Sequence, residues 1–403
     1  MRVLWNIALC ISWRVPEAAG SSGFGLAISQ PREPQDVSRM RKDIPQLHAI
    51  RALAMAAIFF HHLWQGLPRL NGPYQGTALN EAFVDMALGV VVFNALTAFL
   101  AGLPYFGPDA AAPPAFFASC RKRLARLYPQ YVLAVVGLTG VSVLVFHLRD
   151  FSGLARGALS HLLFLDTFQT TPFYSNMAAY WWLGLLFQFT LATPWLVRVS
   201  VRTRFGPGGW CLFSAAVLWP VTAWIQAKGA ALPGTSWESF AFLWTFNLPA
   251  RLPEFWCGLW MAKTWREQGD GRVWPFGRGL ALFLGGGILG CTLWSWLPGV
   301  PSLGHMTGAV WSLGVFAALF ALPLTSRLGR MAATRRISAL SYGIYLAHQP
   351  ILSYCEPVLA GFAPWPRFAV QAIVAGSASF VCAWLLERGA TFLTAPWPPR
   401  RPV

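Results

Sequence analysis

The sequence predicts an all-α protein, a polytopic membrane helix bundle of about ten transmembrane helices. Hydrophobic residues make up 55% of the 403 residues and charged residues only 11%, against roughly 25% charged residues in soluble domains. Apolar runs of helix length recur along the chain, and Lys and Arg concentrate in every second connection between them. This composition argues against a soluble enzyme. The net charge is +16, but the basic residues are dispersed between apolar runs, so no nucleic-acid partner is expected.

Ten apolar runs are long enough to cross a hydrocarbon core of about 30 Å, which makes the lipid bilayer the first expected partner. They lie at about 49–67, 82–103, 127–147, 178–197, 209–227, 241–262, 279–297, 306–324, 339–355 and 368–387. A further apolar stretch at 159–168 is too short to span. It is expected to lie in the interface or to re-enter the membrane between the third and fourth helices.

The distribution of basic residues predicts the orientation, because short cytoplasmic loops accumulate Lys and Arg. If the first helix enters from the cytoplasm, the inside connections hold 20 basic residues and the outside connections five. The inside residues lie at 41–42, 121–126, 198–204, 263–278, 327–336 and 388–401, and the outside ones are Arg69, Arg149, Arg156, Lys228 and Arg367. Both termini are therefore expected in the cytoplasm. A missed helix would reverse the alternation after it, so the contrast also supports ten spans.

The chain is expected to have one membrane domain with short extensions. Residues 1–39 are interpreted as a leader that is disordered or that reflects a wrongly assigned start, because Met40 stands directly before a basic pair and the first span. A signal peptide is the alternative, since an apolar stretch at 3–13 follows an arginine. Residues 40–390 would form the transmembrane domain and 391–403 a short cytoplasmic tail. The seven cysteines have no metal-ligand spacing, so no metal site is predicted.

Ionisable residues inside apolar spans are functional candidates because they are costly unless paired or hydrated. Arg51 and His62 are eleven residues apart, which puts them on one face of the first helix, about 16 Å apart along its axis. A cation near the cytoplasmic mouth suits a phosphate-bearing ligand, and a histidine can act as a general acid or base. The alternative is that Arg51 reaches lipid headgroups and His62 makes an interhelical hydrogen bond. His61 points about 100° away and is a spare candidate.

Two further pairs have helical spacing. Arg123 and Arg126 belong to a basic cluster before the third helix, where a shared face would let them clamp a diphosphate. Ordinary anchoring at the cytoplasmic surface is the alternative. Arg251 and Glu254 are three residues apart inside an apolar run and favour an intrahelical ion pair with a structural role.

The ninth helix combines aromatic and polar residues over several turns. Tyr345 and His348 lie there with Gln349 and Pro350. These side chains would line a cavity or pack against neighbouring helices. Asp85 and Glu387 lie near helix ends, where hydration explains them more simply.

Five motifs occur in a characteristic order. They are IPQLHAIRALAMAAIFFHH at 44–62, CRKRLARLYPQY at 120–131, WWLGLLFQF at 181–189, RLPEFWCGLWMA at 251–262 and ISALSYGIYLAHQPIL at 337–352. Together they resemble the acyltransferase 3 family of integral membrane acyltransferases, over about residues 40–388. Arg51 and His62 match the family's pattern of Arg, ten residues and His. Arg123 and Arg126 match its RxxR segment. The stand-alone branch, without a fused hydrolase-like domain, is the expected subgroup.

The chain departs from the family pattern at two places. Many members read Phe-Phe-x-Leu-Ser-Gly-Phe in the second helix, where this chain has Asn94 as the second residue of the segment 93–99. Many also carry Ser and Glu in the fourth helix, where this chain has Trp182 and Leu186. These departures leave open that the chain is a catalytically inactive scaffold.

The resemblance implies transfer of a short acyl group, usually acetyl, from cytoplasmic acyl-CoA to a hydroxyl of a carbohydrate or glycolipid acceptor, in a bacterial-type inner (plasma) membrane. It assigns catalysis to His62 with Arg51. It assigns the CoA phosphates to two residues, Arg123 and Arg126. Cavity lining or support would come from Arg251, Glu254, Tyr345 and His348.

The alternative from another functional class is a secondary transporter of an anionic or glycan-linked substrate. Intramembrane arginine and histidine residues would serve such a transporter equally well. Against it, the sequence has no matching pair of Gly/Pro-interrupted spans that would indicate an inverted repeat.

Overall fold

The computed structural model describes residues 43–67, 72–145 without 109 and 114, 151–169, 177–267, and 314–394 without 315 and 317. The expected leader, the span predicted at 279–297, most of the span predicted at 306–324 and the end of the tail lie outside the described residues. Within the described residues the regular structure is helical and includes no β-strand.

Twelve α-helices have defined bounds in the described residues, and several of the connections between them include a 3-10 turn. They are α1 Pro45–Gln65, α2 Ala78–Asp85, α3 Gly89–Gly102, α4 Phe116–Leu144, α5 Phe151–Leu162, α6 Trp181–Arg202, α7 Gly206–Ala231, α8 Ser236–Trp244, α9 Leu248–Glu267, α10 Pro323–Arg330, α11 Ala332–Val358 and α12 Pro364–Thr394.

Six helical segments of the described chain are long and apolar enough to cross a membrane. They are Pro45–Gln65, Ala78–Tyr105, Phe116–Leu144, Ala178–Arg202, Gly206–Ala231 and Pro364–Thr394. Helices α9 and α11 have 20 and 27 residues but are less apolar. The all-α membrane bundle is thus confirmed, while the total of ten spans and the position of the termini stay predictions.

Helix α1 lies at the centre of the described bundle. It packs against α3, α10, α11 and α12, and a proline in its first turn, Pro45, suits a helix start. Helix α9 packs against α3, α6 and α7. The backbones of α3 and α9 are in direct contact, because a Cβ atom added at Gly258 would lie 2.1 Å from the carbonyl oxygen of Ala95. These contacts bring α1, α3, α6, α9 and α11 around one buried region.

The predicted span at 241–262 is wrong as a single helix, because α8 ends and α9 begins within it. Side chains from other turns satisfy the backbone groups that the break exposes. The side-chain oxygen of Gln188 on α6 accepts the N–H of Leu248 at 2.9 Å. The Nε of Arg251 donates to the carbonyl of Thr245 at 2.8 Å. Gln188, from the third sequence motif, therefore holds the start of α9.

The structure corrects the predicted start of the third helix and agrees that the apolar stretch at 159–168 is too short to span. The third helix begins at Phe116, eleven residues before the predicted start at 127, so the basic cluster lies within α4. The apolar stretch at 159–168 forms the end of the 12-residue helix α5 and a 3-10 turn, Asp166–Phe168. Twelve residues of helix extend only about 18 Å, which is too short to span.

Candidate functional site

His62 of α1 and His348 of α11 form a hydrogen-bonded pair in the interior of the bundle. The Nδ1 atom of His62 lies 3.0 Å from Nε2 of His348 and 3.0 Å from the carbonyl oxygen of Ile58. The Nδ1 atom of His348 lies 2.7 Å from the carbonyl oxygen of Tyr345. His348 is fully buried and His62 partly so. The packing of α1 on α11 thus joins two residues that are 286 positions apart.

For two neutral imidazole rings, these contacts select one arrangement of the protons. A carbonyl oxygen can only accept, so Nδ1 of His348 must carry a proton for Tyr345 and its Nε2 is then a bare acceptor. The Nδ1 of His62 faces two acceptors, the carbonyl of Ile58 and Nε2 of His348, and must carry the proton there. Nε2 of His62 is therefore left with its lone pair. The pair presents one basic nitrogen, oriented by a second histidine.

Tyr345 holds His348 through its backbone and packs on it through its ring. The ring centroids of Tyr345 and His348 are 5.4 Å apart. The Tyr345 hydroxyl donates to the carbonyl of Ala179, before α6. The centroid of the Tyr345 ring also lies 4.9 Å from that of the Trp182 ring. Tyr345 therefore connects the histidine pair to α6.

Arg51 lies three turns before His62 on α1. Its Nη1 is 3.5 Å from the hydroxyl of Ser338 on α11, and it experiences the positive charge of Arg126. Within the described part of the chain no carboxylate forms an ion pair with Arg51. The separation of about 16 Å along α1 places Arg51 one membrane leaflet away from His62.

The two arginines of the RxxR segment have different surroundings. Arg123 packs over the Phe189 ring at 5.3 Å and lies 3.5 Å from the hydroxyl of Thr190 on α6. It also borders a mainly apolar slot between α4 and α6 whose wall includes Tyr342 of α11. Arg126 is exposed, and its charge acts on Arg123 as well. Among the described residues neither arginine has an ion-pair partner, and the charge of Arg126 acts on both Arg51 and Arg123.

Arg251 and Glu254 form the expected ion pair, with Nη1 of Arg251 3.0 Å from Oε1 of Glu254, and both side chains are buried. The second oxygen, Oε2, accepts from the side-chain amide of Asn94 at 2.6 Å. The Asn94 oxygen accepts from the Trp182 indole at 2.8 Å. This polar network packs against Tyr345 through Trp182, and among the described residues no hydrogen bond joins it to either histidine.

A family model described as an acyltransferase domain, Acyl_transf_3, matches residues 44–388. The chain belongs to the acyltransferase 3 family. Membership assigns membrane acyltransferase activity to the chain, and the apolar helices make it a multi-pass membrane protein. No curated protein and no solved structure matches the chain.

The geometry brings together three of the eight candidate residues of this acyltransferase. His62, His348 and Tyr345 are in direct contact, whereas Arg51 lies on the same helix farther towards the predicted cytoplasmic side. His61, the spare candidate, is turned away and its Nδ1 lies 3.1 Å from the carbonyl oxygen of Phe83. It therefore joins α1 to α2 and takes no part in the pair.

Of two other candidates, Asp85 is exposed and Glu387 is partly exposed. Glu387 lies 3.7 Å from Arg336 at the surface of the acyltransferase. Their hydrated positions agree with the simpler interpretation of helix-end carboxylates.

Sequence reasoning missed the connection between Asn94 and Trp182 in this acyltransferase, because each appeared only as a departure from the family pattern. It also missed a buried contact outside the six candidate spans, where Nδ1 of His161 lies 3.5 Å from Oδ2 of Asp166. Burial raises the pKa of Asp166 above its usual value, and His161 opposes this. The nearby Gly184 leaves room for the turn, since a Cβ atom there would lie 2.9 Å from Oδ1 of Asp166.

Proposed function

We propose that this acyltransferase moves a short acyl group, most simply acetyl, from acyl-CoA to a hydroxyl of a carbohydrate or a lipid-linked glycan. The observation that carries the proposal is the contact of His62 Nδ1 with His348 at 3.0 Å, which turns Nε2 of His62 into the available base. A hydroxyl nucleophile near neutral pH needs such a base. The resemblance of the motifs to the family supplies the donor and acceptor classes.

In the proposed reaction, Nε2 of His62 takes the proton of the acceptor hydroxyl while the hydroxyl oxygen attacks the thioester carbonyl carbon. A C–O bond forms and the C–S bond breaks. The proton then passes from Nε2 to the departing sulfur of CoA, which restores the base. His348 stabilises the transient imidazolium, because its Nε2 accepts from the Nδ1–H of His62.

The arginines Arg51, Arg123 and Arg126 support a polyphosphate donor. Each lacks an ion-pair partner among the described residues, and Arg126 repels the other two. A diphosphate would remove this repulsion and provide charge-assisted acceptors. The distance between Arg51 and His62 leaves room for the extended arm that links the CoA phosphates to the thioester. With a cytoplasmic donor, the expected location is a bacterial-type inner (plasma) membrane.

The test is transfer of radiolabelled acetyl from acetyl-CoA into the lipid and glycan fractions of native-host membranes that contain the protein, compared with membranes that lack it. We expect incorporation with an equal release of free CoA. Arg126→Ala should raise the KM for acetyl-CoA about tenfold, the effect of one charge-assisted hydrogen bond. Arg121→Ala, an exposed arginine of the same cluster, is the matched control and should leave this KM unchanged. Label that stays in acetyl-CoA with the wild type would contradict the proposal.

A further inference from the structure

The two family departures, Asn94 of α3 and Trp182 of α6, contact each other. The Trp182 indole N–H donates to the Asn94 oxygen at 2.8 Å, and both side chains are buried. Residues that look like separate losses in the sequence are one hydrogen-bonded unit in the structure.

The unit continues to the ion pair of α9. The Asn94 amide nitrogen donates to Oε2 of Glu254 at 2.6 Å, while Oε1 of Glu254 receives Arg251 at 3.0 Å. A carboxylate only accepts and an indole N–H only donates. Asn94 must therefore direct its NH2 group to Glu254 and its oxygen to Trp182. An amide satisfies both neighbours at once, whereas a carboxylate at position 94 would face another carboxylate.

The unit ends at Tyr345, whose carbonyl holds His348. The Trp182 ring lies 4.9 Å from the Tyr345 ring. The carbonyl of Tyr345 receives Nδ1–H of His348 at 2.7 Å, and Nε2 of His348 orients His62. Trp182 therefore packs against the residue whose carbonyl holds His348, so a shift of Trp182 can reach the angle of His348.

We propose that Asn94 is a positioning residue that transmits the fixed orientation of the Arg251–Glu254 pair through Trp182 and Tyr345 to His348. Asn94 and Trp182 touch neither the acceptor nor the donor in this scheme. Their effect is on the base, so they act on kcat and leave the KM for acetyl-CoA unchanged. This inference rests on the proposed function of the His62–His348 pair.

The test reverses the donor and acceptor inside the unit. Asn94→Asp places two carboxylates 2.6 Å apart, and Glu254→Gln turns the Asn94 oxygen towards the new amide and away from Trp182. In the double variant N94D/E254Q the amide introduced at position 254 donates to the carboxylate introduced at position 94. The other oxygen of that carboxylate accepts from Trp182, so each hydrogen bond is restored. We expect each single variant to lower kcat about tenfold or more and the double variant to recover most of the loss.

The chain provides a matched control at the half-buried Asn80, which also bridges a tryptophan and a glutamate. Its oxygen accepts from Trp64 at 3.1 Å, and its amide donates to Glu81 at 3.2 Å. Asn80→Asp makes the same chemical change without contact to Tyr345 and should leave kcat unchanged.

Acetyl transfer by purified protein in nanodiscs gives kcat and KM for all four variants, and thermal unfolding gives their stability. Rescue of stability without rescue of kcat would overturn the positioning role, and so would a double variant as slow as the product of the two single variants. A wild type without acetyl transfer would instead contradict the proposed function itself. The two failures are therefore distinguishable.

Discussion

At the scale of single residues, the reactivity of the site depends on which ring nitrogen of His62 carries a proton. The carbonyl of Tyr345 fixes the proton of His348, and the bare Nε2 of His348 then fixes the proton of His62. Each step follows from an atom that can only accept. The position of the proton on His62, the proposed base, is thus determined by the Tyr345 carbonyl, which lies two hydrogen bonds away.

Substitutions at His348 distinguish a role in orienting His62 from a role in packing alone. Glutamine can place an oxygen near the position of Nε2 and accept from the Nδ1–H of His62, whereas leucine cannot. His348→Leu should lower kcat about a hundredfold, and His348→Gln should retain clearly more activity. The measurement is steady-state acetyl transfer at saturating acetyl-CoA. Equal rates for the two variants would contradict the orienting role.

The sequence identified His62, His348, Tyr345 and Arg51 as candidates but indicated no contact between helices. Spacing within one helix defines a face, and the contacts of Arg51 and His62 with α11 agree with the predicted shared face. The pairing of His62 with His348 depends on how α1 packs against α11, which the spacing does not specify. The same holds for Asn94, whose partners lie on two other helices.

At the scale of elements, helix contacts position the site, and their signals in the sequence are local and weak. The break between α8 and α9 was missed because apolar residues continue through it. Asn247 and Pro249 were the available signals for a turn. The break is stabilised by Gln188 of α6 and by Arg251 in the first turn of α9. Their contacts with the break are visible only in the fold.

The close approach of α3 and α9 depends on Gly258. A Cβ atom there would lie 2.1 Å from the Ala95 carbonyl oxygen, which is backbone and cannot rotate away. Gly258→Ala should lower the free energy of unfolding by about 1–3 kcal/mol. Gly140→Ala on α4, where no atom lies within 4 Å, is the control and should be neutral or stabilising. Thermal unfolding in nanodiscs measures both, and an unchanged melting temperature for Gly258→Ala would contradict the contact.

The start of α1 is tied to α11 through Asp43, which lies outside the spans. Its carboxylate accepts from His48 at 2.8 Å and from Arg335. The hydrogen bond from His48, assisted by the charge of Arg335, holds the pKa of Asp43 below its usual value. The stabilisation is therefore present above the unfolded pKa of about 3.9 and is lost as the pH falls through the lowered folded pKa.

Asp43→Asn should lower stability at pH 7 by less than about 1 kcal/mol, because the group is half exposed. The difference from the wild type should vanish in acid, below the folded pKa. Melting temperatures of the two proteins across the pH range check this. A difference that persists unchanged into acid would exclude the carboxylate charge as its cause.

At the scale of the whole molecule, composition was enough to predict an all-helical membrane bundle, because repeated runs of about 20 apolar residues with few charges match the thickness of a bilayer. The six candidate spans agree with the class of fold. Helix lengths were underestimated at several ends, since α4 and α12 extend into polar sequence. Hydropathy marks the part of a helix that lies in lipid, not where its hydrogen bonds end.

The predicted orientation can be tested with single cysteines in a background whose native cysteines are replaced. Gln75 lies before α2 on the predicted outer side, and Lys122 lies in the basic cluster of α4 on the predicted inner side. A membrane-impermeant maleimide should label Gln75→Cys in intact cells and Lys122→Cys only after permeabilisation. The opposite pattern would place the arginines away from cytoplasmic acyl-CoA and contradict the donor assignment.

The central claim is that His62 is the base of an acyl-CoA-dependent transfer. The most direct measurement compares radiolabelled acetyl transfer from acetyl-CoA by the wild type and by His62→Ala, at equal protein level and with binding of acetyl-CoA followed in parallel. We predict that His62→Ala binds acetyl-CoA as the wild type does but transfers acetyl at least about a hundredfold more slowly. Transfer at the wild-type rate by His62→Ala would contradict the account.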